Sequence, residues 1–129
     1  MALENLLFTK EHEWISMEGN TVVVGITDYA QHELGDVVYV ELPAMGKELK
    51  KGDPAANIES VKAVSDVFAP LSGKIIAVNT KLGNNPELVN QEPYGEGWLL
   101  KMNLEQKDEL KELLDKKKYE EYLQGIAGE

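Results

Sequence analysis

The sequence of 129 residues contains no cysteine, which excludes disulfides, thiolate zinc sites and thiol nucleophiles. Its only two histidines, His12 and His32, lie in different segments without the spacing of paired metal ligands, so no metal site is expected. The glycines fit neither the G-x-x-x-x-G-K-[ST] nor the G-x-G-x-x-G pattern of phosphate-binding loops. These absences argue against several common classes of catalytic site.

Arginine is also missing, because all 13 basic residues are lysines, and the formal net charge is −10. Without arginine there is no bidentate clamp for phosphates or carboxylates. Nucleic acid binding usually requires a basic face, so we expect no nucleic acid partner. An acidic surface can steer the protein toward basic patches on other proteins, and it also keeps a small protein in solution.

No apolar run approaches the roughly 20 residues that a membrane helix needs, so no membrane association is expected. The N-terminus, MALENLLFTKEHEW, has neither a basic region ahead of an apolar core nor the arginine-rich composition of a transit peptide. The chain is therefore expected in the cytoplasm, or in the mitochondrial matrix if it is a mature organellar form.

The length and the ordinary content of apolar and charged residues, 43% and 28%, predict one domain over residues 1–129. We expect a monomer. The pattern is mainly β. An edge strand at residues 6–8 precedes a hairpin of residues 13–17 and 21–26 around a Gly-Asn turn. A short helix should follow, capped by Thr27 and closed by Gly35.

In the strands that follow, successive side chains are expected to alternate between the two faces of the sheet. In the strand over residues 36–42, Val38 and Val40 should share one face, and a polar turn should follow at residues 47–52. Ile75 should point inward from a strand over residues 74–78.

The C-terminal third is predicted from weaker signals. A loop over residues 79–90 should contain a helical turn at residues 86–89, because proline is favoured at a first helical position. Residues 98–102 alternate as the last strand. Residues 105–124 then read as an extension of two short helices, with a frayed tail over residues 125–129.

The stretch from Ile58 to Asp66 holds one lysine, Lys62, in a short polar reversal between two strands. At the tip of a hairpin, a lysine points its amine away from the sheet on a flexible four-carbon stem. Such an amine is open to an enzyme that attaches a group to it. A solvated lysine without any function fits this geometry equally well.

The sequence around Lys62 resembles the lipoyl-lysine hairpin of the glycine cleavage system H-protein family. The matching segments, in order and within residues 8–114, are HEWI, GITDYAQHELGDVVYVELPAMG, ESVKAVSD, APLSGKIIAVN, PELVN, PY and GWL. The resemblance implies a mainly β barrel-sandwich hybrid, the hammerhead fold of lipoyl and biotinyl domains. It also implies a short helix after the first hairpin and C-terminal helices.

The resemblance further implies a carrier that is not itself an enzyme, with lipoic acid amide-linked to Lys62. A lipoate ligase or a lipoyl/octanoyl transferase would attach the group. Glycine decarboxylase, a pyridoxal-phosphate enzyme, would load it with an aminomethyl group. Aminomethyltransferase would pass the one-carbon unit to tetrahydrofolate, and dihydrolipoyl dehydrogenase would reoxidise the dithiol.

Three further residues receive roles only through the resemblance. Glu13 and Asp66 match positions beside the docked arm, and the Glu13 carboxylate would face the amine of the arm. Glu59 would be recognised by the attaching enzyme. Each of the three could instead be an ordinary solvated residue. Glu11 departs from the small residue expected before HEW, and His12 is interpreted as a packed, hydrogen-bonded histidine rather than a base.

Two alternatives to the glycine cleavage carrier stay open on the sequence. The first is a carrier of the same build that relays lipoyl groups to other enzymes, or a biotinyl-type carrier, although Val61 and Ala63 replace the methionines that typically flank a biotinyl lysine. The second is a plain β-rich binding module without any modification.

Overall fold

The computed structural model describes residues 5–127, and within this range the chain is mainly β-structure. The strands are β1 (Leu7–Phe8), β2 (Glu13–Glu18), β3 (Thr21–Ile26), β4 (Val37–Glu41), β5 (Glu48–Leu49), β6 (Pro54–Ser60), β7 (Val64–Phe68), β8 (Gly73–Val78) and β9 (Leu100–Leu104). The helices are α1 (Asp28–Leu34), α2 (Leu88–Gln91) and α3 (Lys116–Ala127), with 3₁₀ turns at Thr80–Gly83 and Lys107–Glu112.

Two antiparallel sheets enclose the main core. One sheet has six strands in the order β1-β2-β3-β9-β8-β5, and the other has three in the order β4-β6-β7. Ile15, Val24, Ile58, Ile75 and Leu100 are buried in this core, which contains residues of both sheets. The sequence predicted this architecture, a mainly β barrel-sandwich with a helix after the first hairpin and C-terminal helices.

A second apolar cluster lies where α3 packs against the first strands. Phe8, Trp14, Val23 and Tyr119 are buried in it, and the rings of Phe8 and Tyr119 stack with their centroids 4.6 Å apart. Backbone hydrogen bonds of 2.7 and 2.8 Å join Phe8 to Leu114 just before the helix. No helix within residues 5–127 is long and apolar enough to cross a membrane.

Helix α1 begins and ends at the residues that the sequence indicated. The Thr27 hydroxyl accepts a hydrogen bond from the Ala30 N–H at 3.2 Å, which caps the first turn. Gly35 ends the helix with a φ of 81°, in the region of positive φ that favours glycine. The helix is short, so its position depends on packing against the core.

The predicted alternation of β4 is wrong at its start. Val40 is buried, but Val38 is exposed together with Tyr39, and the buried residue ahead of them is Val37. The pairing of β4 with β6 shifts register between Val37 and Tyr39, which is a β-bulge. An extra residue at a bulge re-aims the side chains that follow it, and here it turns two consecutive residues outward.

Other elements also differ from the predictions. The polar turn at residues 47–52 contains β5, because Leu49 enters the core and pairs with Gly73 of β8. The loop at residues 79–90 holds a 3₁₀ turn, and its helix begins at Leu88 rather than Pro86. Strand β9 begins at Leu100, two residues late. Helix α3 continues through residues 125–127 of the predicted frayed tail, whose last two residues lie outside the described range.

Candidate functional site

Lys62 lies at the tip of the hairpin formed by β6 and β7. The last paired residues are Glu59 and Val64, and the Ser60 N–H donates to the Ala63 carbonyl at 2.8 Å. The Ser60 hydroxyl oxygen also accepts from the Lys62 N–H at 3.3 Å and the Ala63 N–H at 3.0 Å. These bonds hold the turn in one conformation without using the lysine amine.

The start of β4 supports the hairpin tip from one side. The Val61 N–H donates to the Asp36 carbonyl at 3.0 Å. A Cβ atom on Gly35 would lie 3.3 Å from Lys62 Cε, so the lysine stem passes closely over this glycine. Asn90 fixes the same corner, because its amide group donates to the Gly35 carbonyl at 2.8 Å and accepts from the Val37 N–H at 2.8 Å.

The amine of Lys62 is accessible. The residue is exposed, and within the described part of the chain its ammonium group makes no hydrogen bond or ion pair. The sequence placed this lysine on a hairpin tip, and the structure agrees with that placement. The amine can therefore be reached by another protein without displacing any interaction.

A cleft of about 420 Å³ adjoins the hairpin. It is lined by residues 63–67, which follow Lys62, by residues 11–13 and by residues of α1. The apolar side chains lining it include Ile26, Ala30, Leu34, Ile58 and Val67. The cleft is therefore open to a group attached near the hairpin tip.

Glu13 lies at this cleft and is only 2% exposed, so the alternative of a strand residue facing water is wrong. Its carboxylate accepts hydrogen bonds from the Thr9 hydroxyl at 2.8 Å and from the Phe68 N–H at 3.2 Å. Loss of hydration raises the pKa of Glu13 to about 7, although both hydrogen bonds act in the opposite direction. The negative charge of Glu11 raises this pKa further.

This raised pKa predicts a fall in stability as pH increases. Between its ordinary pKa of 4.5 and its folded pKa of about 7, Glu13 binds more protons in the folded than in the unfolded state. The free energy of unfolding therefore decreases across this window, by roughly 3 kcal/mol from this group. In the Glu13→Gln variant this contribution should be absent, so the variant should be more stable than the wild type at pH 8 and similar at pH 4.

Urea denaturation of both proteins at these two pH values measures the difference. Glu59→Gln is the matched control, because it makes the same substitution at an exposed carboxylate outside the cleft. Parallel stability curves for the wild type and Glu13→Gln would contradict a raised pKa at Glu13.

His12 is packed and hydrogen-bonded, as the sequence suggested. Its Nδ1 lies 2.8 Å from the Tyr119 hydroxyl, which lies 2.9 Å from the Thr27 hydroxyl. The Thr27 oxygen already accepts from Ala30, so all these groups are satisfied when Thr27 donates to Tyr119 and Tyr119 donates to Nδ1. This arrangement favours the neutral ring, and burial likewise lowers the pKa of His12.

The other two predicted site residues lie in different places. Asp66 is exposed, lines the cleft with Glu13, and accepts a hydrogen bond from the Asn57 side chain at 2.9 Å. Glu59 is exposed on β6 between Tyr39 of β4 and Val64 of β7, and it does not line the cleft. Asp66 also lines a neighbouring groove together with its partner Asn57, so it stands between this groove and the Glu13 cleft. Glu59 lies on the outer surface of the sheet.

The cleft carries more acidic residues than the sequence indicated. Glu11 and Glu33 line it as well as Glu13 and Asp66, and none of the described lining residues is a lysine. The spacing of Tyr29 and Glu33 on α1 could have indicated their common face, but nothing local in the sequence shows that this face meets β7. No cluster of three potential metal ligands occurs among the described residues. The cleft favours a positively charged occupant.

The sequence and the fold match one family of proteins. The family model described as "Glycine cleavage H-protein" matches residues 6–126. The chain is 57% identical to the glycine cleavage system H protein of Thermotoga maritima over 115 residues, which is 89% of this chain and 93% of the relative. It is 56% identical to the probable H protein of Pyrococcus abyssi over 127 residues, covering 95% and 92% of the two chains.

A solved structure has the same fold. The crystal structure of a glycine cleavage system H protein from Mycobacterium marinum aligns with a TM-score of 0.81 and 35% identity, covering 98% of each chain. The similarity extends over both sheets and the C-terminal helices, not over the lysine hairpin alone. The chain therefore belongs to the glycine cleavage H-protein family.

Proposed function

We propose that this protein carries lipoic acid as an amide on Lys62 and acts as the mobile carrier of glycine cleavage. The observation that carries the proposal is the exposed Lys62 amine, held on a hydrogen-bonded hairpin whose second strand forms a wall of the cleft. Membership of the H-protein family supports the same role. The carrier would meet glycine decarboxylase, aminomethyltransferase and dihydrolipoyl dehydrogenase in turn.

The residues present fit such a group. Lys62 supplies the amine for the amide bond, and the apolar walls of the cleft suit a hydrocarbon arm that lies against Ile26, Ala30 and Val67. When bound, the lipoyl group supplies the dithiol that holds the aminomethyl unit. Asp66, and Glu13 in its ionised form, supply negative charge where a primary ammonium would enter, and this contact is stronger where water is excluded.

In this proposal the protein itself catalyses no step. Attachment to the carrier instead raises the local concentration of the reactive group at each partner. The buried carboxylate of Glu13 is held by Thr9 and Phe68, so it is oriented before an ammonium arrives. A carboxylate that is already oriented favours binding of the ammonium group of the aminomethyl arm in the cleft.

Reconstitution with glycine decarboxylase tests the carrier role. Exchange of the glycine carboxyl group with labelled bicarbonate should require the lipoylated protein and should stay at background with the unmodified protein. If the lipoylated protein were inactive here but donated its lipoyl group to other enzymes, it would be a relay rather than the carrier of glycine cleavage.

A further inference from the structure

The three-stranded sheet exposes apolar side chains beside Lys62. Val38, Tyr39, Val61 and Val64 are each at least half exposed, and we call these four residues the lysine-side patch. Single exposed apolar residues are normal on a soluble protein, whereas contiguous ones mark interaction surfaces.

The strand register places two of the four, Tyr39 and Val64, on one face of the sheet. Tyr39 pairs with Glu59, and Glu59 pairs with Val64, so these three side chains form one row across β4, β6 and β7. Directly paired residues have Cβ atoms about 4.5–5.5 Å apart. Val61 is hydrogen-bonded to Asp36 at the start of β4, which brings the hairpin tip against the same strand.

The β-bulge in β4 creates part of the patch. In a regular strand only one of Val38 and Tyr39 would face outward, because successive side chains alternate. The register shift between Val37 and Tyr39 exposes both while Val37 and Val40 stay in the core. The patch is thus a feature of the backbone and not a chance exposure of one side chain.

The charge around the patch is negative. Glu59 lies inside the row, between Tyr39 and Val64, and Glu41 and Asp66 flank Asn57 in another row of the same sheet. Lys62 is the only basic residue between Gly52 and Gly73 in the sequence. A complementary partner would offer an apolar centre with a basic rim.

The length of the Lys62 side chain indicates which partner must bind at the patch. Before modification, Lys62 extends from the hairpin by its own four-carbon stem only, so an enzyme that acts on the amine must bring its active site against the hairpin. Enzymes that act on the attached group reach it at the end of a longer arm. We propose that the lysine-side patch is the docking surface of the enzyme that attaches the lipoyl group to Lys62.

This inference rests on the proposed function. The reaction needs an acyl donor activated as an adenylate or a thioester. The Lys62 Nζ–carbonyl bond forms, the acyl–oxygen or acyl–sulfur bond breaks, and the amine loses a proton as AMP or the thiol departs. The lysine-side patch takes no part in this reaction and only binds the attaching enzyme.

The double variant Val38→Ser/Tyr39→Ser tests the patch with a purified lipoate–protein ligase, lipoate and ATP. We expect kcat/KM for lipoylation to fall at least tenfold, because truncated central apolar residues dominate interface energetics. Met45→Ser is the matched control, since Met45 is 62% exposed and lies outside the patch, and its kcat/KM should be unchanged. Val61→Ser, which lies in the turn, should also reduce kcat/KM and does not depend on strand stability.

The outcomes separate the hypotheses. Lipoylation of folded double and Val61→Ser variants at the wild-type rate would overturn the patch proposal. After prolonged modification to completion, the double variant should support bicarbonate exchange within about twofold of wild type, and an equal loss in both assays would overturn the assignment to the attaching enzyme. Failure of the wild type to accept any lipoyl group would instead contradict the proposed function.

Discussion

Lys62→Arg is expected to abolish lipoylation and to reduce bicarbonate exchange to the level seen without carrier. Arginine preserves the positive charge and much of the stem, but its guanidinium is not deprotonated in proteins and cannot form the amide. Lys62 is exposed, so the free energy of unfolding should change by no more than about 0.5 kcal/mol. Intact-mass measurement after incubation with ligase, lipoate and ATP, followed by the exchange assay, reads out both losses.

Lys50→Arg is the matched control. Lys50 is also an exposed lysine next to a glycine-containing turn, and its backbone N–H, not its amine, bonds to Asp53. This variant should be lipoylated and active like the wild type. A lipoyl group on the Lys62→Arg protein would place the modification on another lysine.

Ile75→Ala is expected to lower the free energy of unfolding by about 2–5 kcal/mol. Ile75 is 1% exposed, lies on β8 opposite Met102 of β9, and belongs to the core between the two sheets. Removing its side chain leaves a cavity that the paired strands cannot readily close. Urea denaturation followed by tryptophan fluorescence provides the measurement.

Ile76→Ala and Lys62→Ala are the comparisons for this experiment. Ile76 is the next residue on the same strand and is only partly buried, so its truncation should be less destabilising than that of Ile75. Lys62→Ala should have almost no effect on stability. Equal losses for Ile75→Ala and Lys62→Ala would contradict the placement of one in the core and the other on the hairpin tip.

Local signals predicted much of the fold. The turn residues Gly19 and Asn20 located the first hairpin, and Thr27 and Gly35 fixed both ends of α1. The bulge in β4 could not be predicted in this way, because it depends on pairing with β6 and on the Asn90 side chain, 53 residues from Val37. Alternation along a sequence assumes a regular strand, and a bulge breaks that assumption.

The site was less predictable than the fold. A polar reversal around Lys62 follows from the sequence, but the roles of Lys62 and Glu13 came from family resemblance and remain proposals. The Glu13 carboxylate accepts a hydrogen bond from the N–H of Phe68, which lies 55 residues away. The bond between His12 and Tyr119 spans 107 residues, so no local pattern could indicate that α3 supports the corner beside Glu13.

The most direct test of the carrier role is the intact mass of the wild-type protein produced with lipoate and ligase available. The account predicts a mass increase of one lipoyl amide, located on the peptide that contains Lys62. A protein that keeps its unmodified mass under these conditions, while a known lipoyl domain in the same sample is modified, would contradict it.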